Sequence, residues 1–136
     1  MFLVVTLGAC VGTRTEPFAP ELEKSYVLTQ ELVHTELEIV LPGLFNPLKL
    51  VPFVMTSDKY DRMRNTTFVP ERPDFLPILG EVARGSCLEV KRMFTHNTLH
   101  GISRYGEVQF TFPTTREQLT AYVDWNDISP NLREVR

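Results

Sequence analysis

His96 and His100 stand four residues apart in Thr95-His96-Asn97-Thr98-Leu99-His100-Gly101-Ile102-Ser103-Arg104-Tyr105, the stretch richest in reactive side chains. On a helix that spacing puts both imidazoles on one face, where they could share a metal ion. Arg104 and Tyr105 would add a cation and a hydroxyl, groups that stabilise negative charge on a reacting oxygen. His96, His100, Arg104 and Tyr105 together therefore define one reading, a small hydrolase or phosphoesterase. The surroundings favour it less than the spacing does. Gly101 and Gly106 interrupt a helix, no carboxylate lies inside the stretch, and a third ligand would have to come from His34 or a distant acid. Two histidines in a polar loop are the simpler interpretation, and no metal or other cofactor is expected.

The remaining combinations are weaker still. His96-Asn97-Thr98-Leu99 matches half of the signature of two-histidine phosphoesterases, but the second His-x-Thr/Ser copy is missing, because His34 precedes Thr35-Glu36 and His100 precedes Gly101-Ile102. A Cys87–His96 nucleophile pair oriented by Asp124 or Asp127 needs a thiolate within reach of its base, whereas Cys87 sits in an apolar strand where a thiol acts as a small hydrophobe. Glu36 and Glu38 share a strand face about 7 Å apart, which is also the pattern of acids that guard a sheet against unwanted pairing. No glycine-rich phosphate loop is completed. Asn65-Thr66-Thr67 fits a glycosylation sequon but follows no secretory signal. Trp125, with Arg104 and Tyr105, supplies the aromatic and guanidinium chemistry typical of contact anchors.

The elements that would position these groups are mostly strands. Val33, Thr35, Leu37, Ile39 and Leu41 alternate with His34, Glu36, Glu38 and Val40, a period of two that sends one set to a core and the other to water. Residues 2–11 form a continuous apolar run, as in a strand covered on both faces. Pro20 to Lys24 suits one helical turn with proline at its start. Leu48 to Met55 reads as a strand that Pro52 confines to an edge or a bulge. Thr56 or Ser57 can cap a short helix over residues 58–64. A second helix is expected over 78–84, closed by Gly85, and a third after the capping-box pair Thr114 and Glu117. Cys87–Phe94 and Glu107–Phe112 read as paired strands joined by a long loop over 95–106, and Pro130 opens a charged tail through Arg136.

Length and composition bound the rest. The 136 residues suit one domain, spanning 1–136 with its charged tail at 130–136, and 43% hydrophobic residues suffice for a core. The net charge of −3 disfavours a nucleic-acid partner, which would need a basic excess; Lys59, Arg62 and Arg64, with Arg72 nearby, are the local exception and read as a solvated helix face. No stretch approaches the ~18 apolar residues of a membrane span. Leu7-Gly8-Ala9-Cys10 has the form of a lipobox, but no Lys or Arg precedes it, so a cytoplasmic protein is expected rather than one anchored at Cys10. Together these features point to an α+β domain: a single mixed or antiparallel sheet of about five strands, with two or three short helices on one face. Prolines in extended connections and exposed strand edges favour a non-enzymatic protein that acts through protein–protein contacts, binding a protein partner or self-assembling. A component of a larger particle, or a small viral or phage inhibitor, is the form expected.

Overall fold

A computed structural model describes residues 12–42, 48–66, 76–98 and 101–135. The apolar run at 2–11, Cys10, Arg72 and His100 lie outside the described residues. Among the described residues nine strands belong to one mixed sheet: β1 (Gly12–Thr15), β2 (Ser25–Leu28), β3 (Leu32–Val40), β4 (Leu48–Met55), β5 (Gly80–Val82), β6 (Cys87–Thr98), β7 (Gly101–Thr111), β8 (Gln118–Asp124) and β9 (Leu132–Val135). Two α-helices accompany them among the described residues, α1 (Ser57–Thr66) and α2 (Trp125–Ile128), with 3-10 turns at Pro20–Glu23 and Ser129–Asn131. The strand order is β5-β3-β4-β8-β7-β6-β2-β9, and β1 pairs with the far half of β6 beside β2. Every pairing is antiparallel except β4 with β8, which meet in parallel through Phe53↔Tyr122 and Val54↔Val123.

The expected five-strand α+β arrangement is therefore corrected to a predominantly β protein, and three segments account for the difference. Residues 118–124 form a strand, not the helix announced by Thr114 and Glu117. Ala121 and Val123 are buried while Gln118 and Thr120 are exposed, a period of two that outweighs the capping signal. Those two residues shape a turn instead, in which the Glu117 carbonyl accepts from the Phe112 amide and Arg116 adopts a positive φ of 62°. Residues 80–82 add β5 to β3 where a helix was expected. Within the supposed loop at 95–106, residues 95–98 continue β6 and residues 101–106 belong to β7, with Thr98 paired to Gly101. The segment read as a charged tail carries β9, whose Leu132 to Val135 pair with Leu28 to Ser25 of β2.

Because so many strands lie in the middle of the sheet, both faces carry a core. Leu28, Leu32, Val54, Val82, Leu88, Val90, Met93, Val108, Phe110, Ala121 and Val123 line one face, where Trp125 and Ile128 of α2 cover them. Ile39, Val51, Phe53, Met55 and Phe94 line the other, under Tyr60 and Met63 of α1 and under Leu76. The helices thus divide between the two faces and do not share one. Alternation along β3 is as its sequence implies, with Thr35 and Ile39 buried and Glu38 exposed. On β6 the register shifts between Val90 and Arg92, so Lys91 is an extra, bulged residue. Beyond it Met93 enters the first core and Phe94 the second. Met93 fits because Gly106 faces it: a Cβ there would sit 3.1 Å from the methionine sulfur.

The sheet also curls on itself. From β3 to β1 through β4, β8, β7 and β6 is five strand spacings, about 24 Å if flat. Yet the Thr13 hydroxyl of β1 donates to the Val40 carbonyl of β3 across 3.1 Å.

The helices are tied on by polar contacts. Thr56 caps α1, its hydroxyl oxygen accepting from the Lys59 amide at 3.2 Å. Asp127 of α2 accepts from both the Thr56 amide (2.9 Å) and the Thr56 hydroxyl (2.7 Å). Lys59 pairs with Asp124 at 2.7 Å. Asp127→Ala removes the acceptor that joins the two helices, and it is expected to cost about 1.5–2.5 kcal/mol in urea unfolding, the range of a cap and charge-assisted hydrogen bonds. Asp127→Asn, which keeps one acceptor oxygen, should recover part of that loss.

Candidate functional site

The hairpin β6–β7 carries His96, Arg104 and Tyr105, and its register decides which of them can cooperate. Directly paired residues of an antiparallel ladder share a face. Phe94 pairs with Tyr105, Thr95 with Arg104, and His96 with Ser103. His96 and Tyr105 therefore lie on one face of the hairpin and Arg104 on the other.

On the inner face, Phe94 and Tyr105 stack with ring centroids 5.9 Å apart, and Phe53 and His96 meet the Tyr105 ring edgewise at 6.3 and 6.5 Å. The Nδ1 atom of His96 lies 2.8 Å from the Thr13 hydroxyl, whose proton goes to Val40; the ring nitrogen therefore faces an oxygen already committed to the seam between β1 and β3. Burial first, and the Asp124 carboxylate second, push the Tyr105 hydroxyl above its ordinary range, so it stays protonated at neutral pH. These are the contacts of a core aromatic cluster.

On the outer face, Arg104 is held by two carboxylates. Its Nε and Nη2 reach Glu16 at 3.1 and 2.9 Å, and its Nη1 and Nη2 reach Glu21 at 3.0 Å each. Thr95 adds a 2.6 Å hydrogen bond to Glu16. The guanidinium beside them holds both glutamates below the ordinary carboxylate range against the opposing effect of burial, and they in turn raise Arg104. With both edges of its fork occupied, Arg104 pins the 16–23 segment to the hairpin.

The other sequence-derived candidates disperse. Trp125 is buried and packs edge-on against Tyr26, with centroids 5.4 Å apart, so its ring belongs to the first core. Cys87 is exposed, not the core thiol expected of an apolar strand. It stands nearly the length of β6 from His96, about 30 Å along the strand, and Asp127 is engaged with Thr56. Among the described residues no three His, Cys, Asp or Glu side chains gather as a metal-binding group, and no helix is long and apolar enough to cross a membrane.

A different surface stands out, one the sequence reading passed over. β8 joins β4 only at Phe53 and Val54, so the first half of β4 continues beyond it, paired to β3 alone. On one face of this two-stranded ribbon lie Leu48, Leu50 and Pro52, opposite Val40, Glu38 and Glu36. Leu48 is 60% exposed and Leu50 58%, while the other face buries Val51 and Ile39. Isolated apolar side chains on a surface are ordinary, whereas here Leu48 and Leu50 stand uncovered together on one strand face. The uninterrupted apolar run from Leu50 to Met55 conceals the row, because nothing in it distinguishes the covered set from the uncovered one.

No protein-family model, curated protein or solved structure matches the chain.

Proposed function

We propose that the protein is a contact module, a non-enzymatic domain that binds another protein through the outward face of the β3–β4 ribbon. The observation that carries this reading is the exposure of Leu48 and Leu50 on one face of a strand that buries Val51, Phe53, Val54 and Met55. Covering two leucines contributes about 3 kcal/mol or more to binding, enough to dominate a modest interface. Glu36 and Glu38 add an acidic margin, which suits a partner with apolar side chains bordered by lysine or arginine. A reducing compartment, the cytoplasm, suits the exposed Cys87 thiol. The alternative, a hydrolase built on His96 and His100, draws no support from the hairpin, where His96 and Arg104 face opposite sides.

The test places a photo-crosslinking residue at position 50 and, as a control on another exposed segment, at position 117, in the cell that makes the protein. Position 50 should give one saturable adduct and position 117 none. Leu48→Asp with Leu50→Asp should weaken the adduct's formation at least about tenfold while circular dichroism stays that of the wild type. Equal labelling at both positions would refute the proposal.

A further inference from the structure

His34 occupies a place in β3 that its chemistry does not suit. Val54 of β4 pairs with it on one side and Gly80 of β5 on the other, at the rim of the core containing Leu32 and Val82. Its Nε2 atom is enclosed and has no hydrogen-bond partner. The same residue anchors the chain that forms β5. The His34 carbonyl accepts from the Leu79 amide at 2.8 Å, and the neighbouring Thr35 hydroxyl donates to the Pro77 carbonyl at 2.6 Å.

A neutral imidazole can leave that nitrogen as an unused acceptor at the cost of one hydrogen bond. An imidazolium cannot do so as easily, because Nε2 would then carry a charged donor with neither water nor acceptor beside it. We propose that His34 is a pH-responsive latch: gaining a proton, it loosens the hold of β3 on residues 76–82 and frees the β5 edge.

The charges around it do not compensate. Glu36 lies two residues along on the same face of β3, and its attraction for the imidazolium is outweighed by burial, so His34 is held below the ordinary histidine range. Glu81 of β5 pairs with Val33 and so faces the other side of the sheet, where α1 packs, and β4 offers only Val54. With the folded value depressed, the closed form binds fewer protons than the open one. The latch is therefore fully closed above the ordinary histidine range and weakens as pH falls through it.

Residue-resolved amide hydrogen exchange at about pH 7 and about pH 5.5 tests this, after correction for intrinsic rates. The opening of Leu79 and β5, measured against Val108 to Phe110 of β7, should rise by up to about tenfold per pH unit, and His34→Gln should remove that dependence. The wild-type ring, followed by NMR, should titrate below the free-histidine value of about 6.5. A pH response that persists in His34→Gln, or a ring that titrates at the free value, would overturn the proposal. Should the variant fail to fold, the wild-type titration decides alone.

Discussion

Phe94→Ala is expected to cost about 3–5 kcal/mol, the largest loss from any single truncation considered, as is usual for a phenylalanine removed from a packed core. The ring is fully buried just beyond the β6 bulge. It stacks on Tyr105, meets Tyr122 edgewise at 6.0 Å, and lies 5.9 Å from the Arg92 guanidinium. Arg92 in turn bonds Glu107 at 3.0 Å and the Tyr122 hydroxyl at 3.2 Å. Removing the ring would leave a cavity whose walls are backbone-paired strands, which cannot collapse inward without breaking ladders. A protein of this length has about 5–15 kcal/mol to lose, so the variant should melt roughly 10–20 °C lower. Guanidinium unfolding should show a lower midpoint with an unchanged slope. A loss under about 1 kcal/mol would mean that the ring does not fill the space between the hairpin and β8.

Arg104→Ala should have the next largest effect, about 2–4 kcal/mol at neutral pH. The loss combines several charge-assisted hydrogen bonds with two carboxylates left facing each other, reduced because all three groups keep some solvent contact. Arg104→Lys should recover little of it, since an ammonium cannot grip two carboxylates in fork geometry. The sign of the pH dependence follows from the two glutamates. Both are depressed in the folded state, by Arg104 before any other cause, so the unfolded chain takes up their protons first. The clamp's contribution is complete above the ordinary carboxylate range and disappears as pH falls through the lowered folded values. The gap between wild type and Arg104→Ala should therefore be constant near neutrality and narrow below about pH 4, which denaturation curves at a series of acid pH values would measure. A gap independent of pH down to about 2.5 would exclude the clamp as its source.

What could be read from the chain depended on whether local pattern and tertiary placement agreed. Along Val33 to Leu41 they agreed, because Thr35 and Ile39 enter a core while Glu38 meets water, and the period of two was plain. Thr56 before an acid-first, arginine-last segment gave α1 correctly, since a cap is a local device. Pro52 was expected at an edge or bulge. β4 is interior to the sheet, but at Pro52 it is paired to β3 alone, because β8 joins it only at Phe53 and Val54, so the residue does sit on a locally open edge. Gln118 to Asp124 misled because a capping box precedes it, and the alternation of Leu119, Ala121 and Val123 carries the decision. The 95–106 segment looked like a loop because it is polar and contains two glycines. It is polar because one hairpin face meets Glu16 and Glu21 far back in the chain, and no spacing within the hairpin announces that. The exposed pair Leu48 and Leu50 was hidden for the converse reason: apolar residues read as core whether or not anything covers them.

The parallel contact between β4 and β8 has a consequence for how the chain reaches this form. On either side of it the strands belong to local antiparallel runs, β3 with β4, and β6 with β7 and β8, joined by short reaches of chain. Among the described residues their backbone ladders join through two residue pairs alone, whose members are about 70 positions apart. Each run can zip up by itself on a fast, local timescale, whereas their union must close a long loop before any contact rewards it. That union is the step expected to set the pace of folding. Until it happens, the edges of β4 and β8 stand open to any other strand in the surroundings, which makes this junction the place where crowding and misassembly would act first.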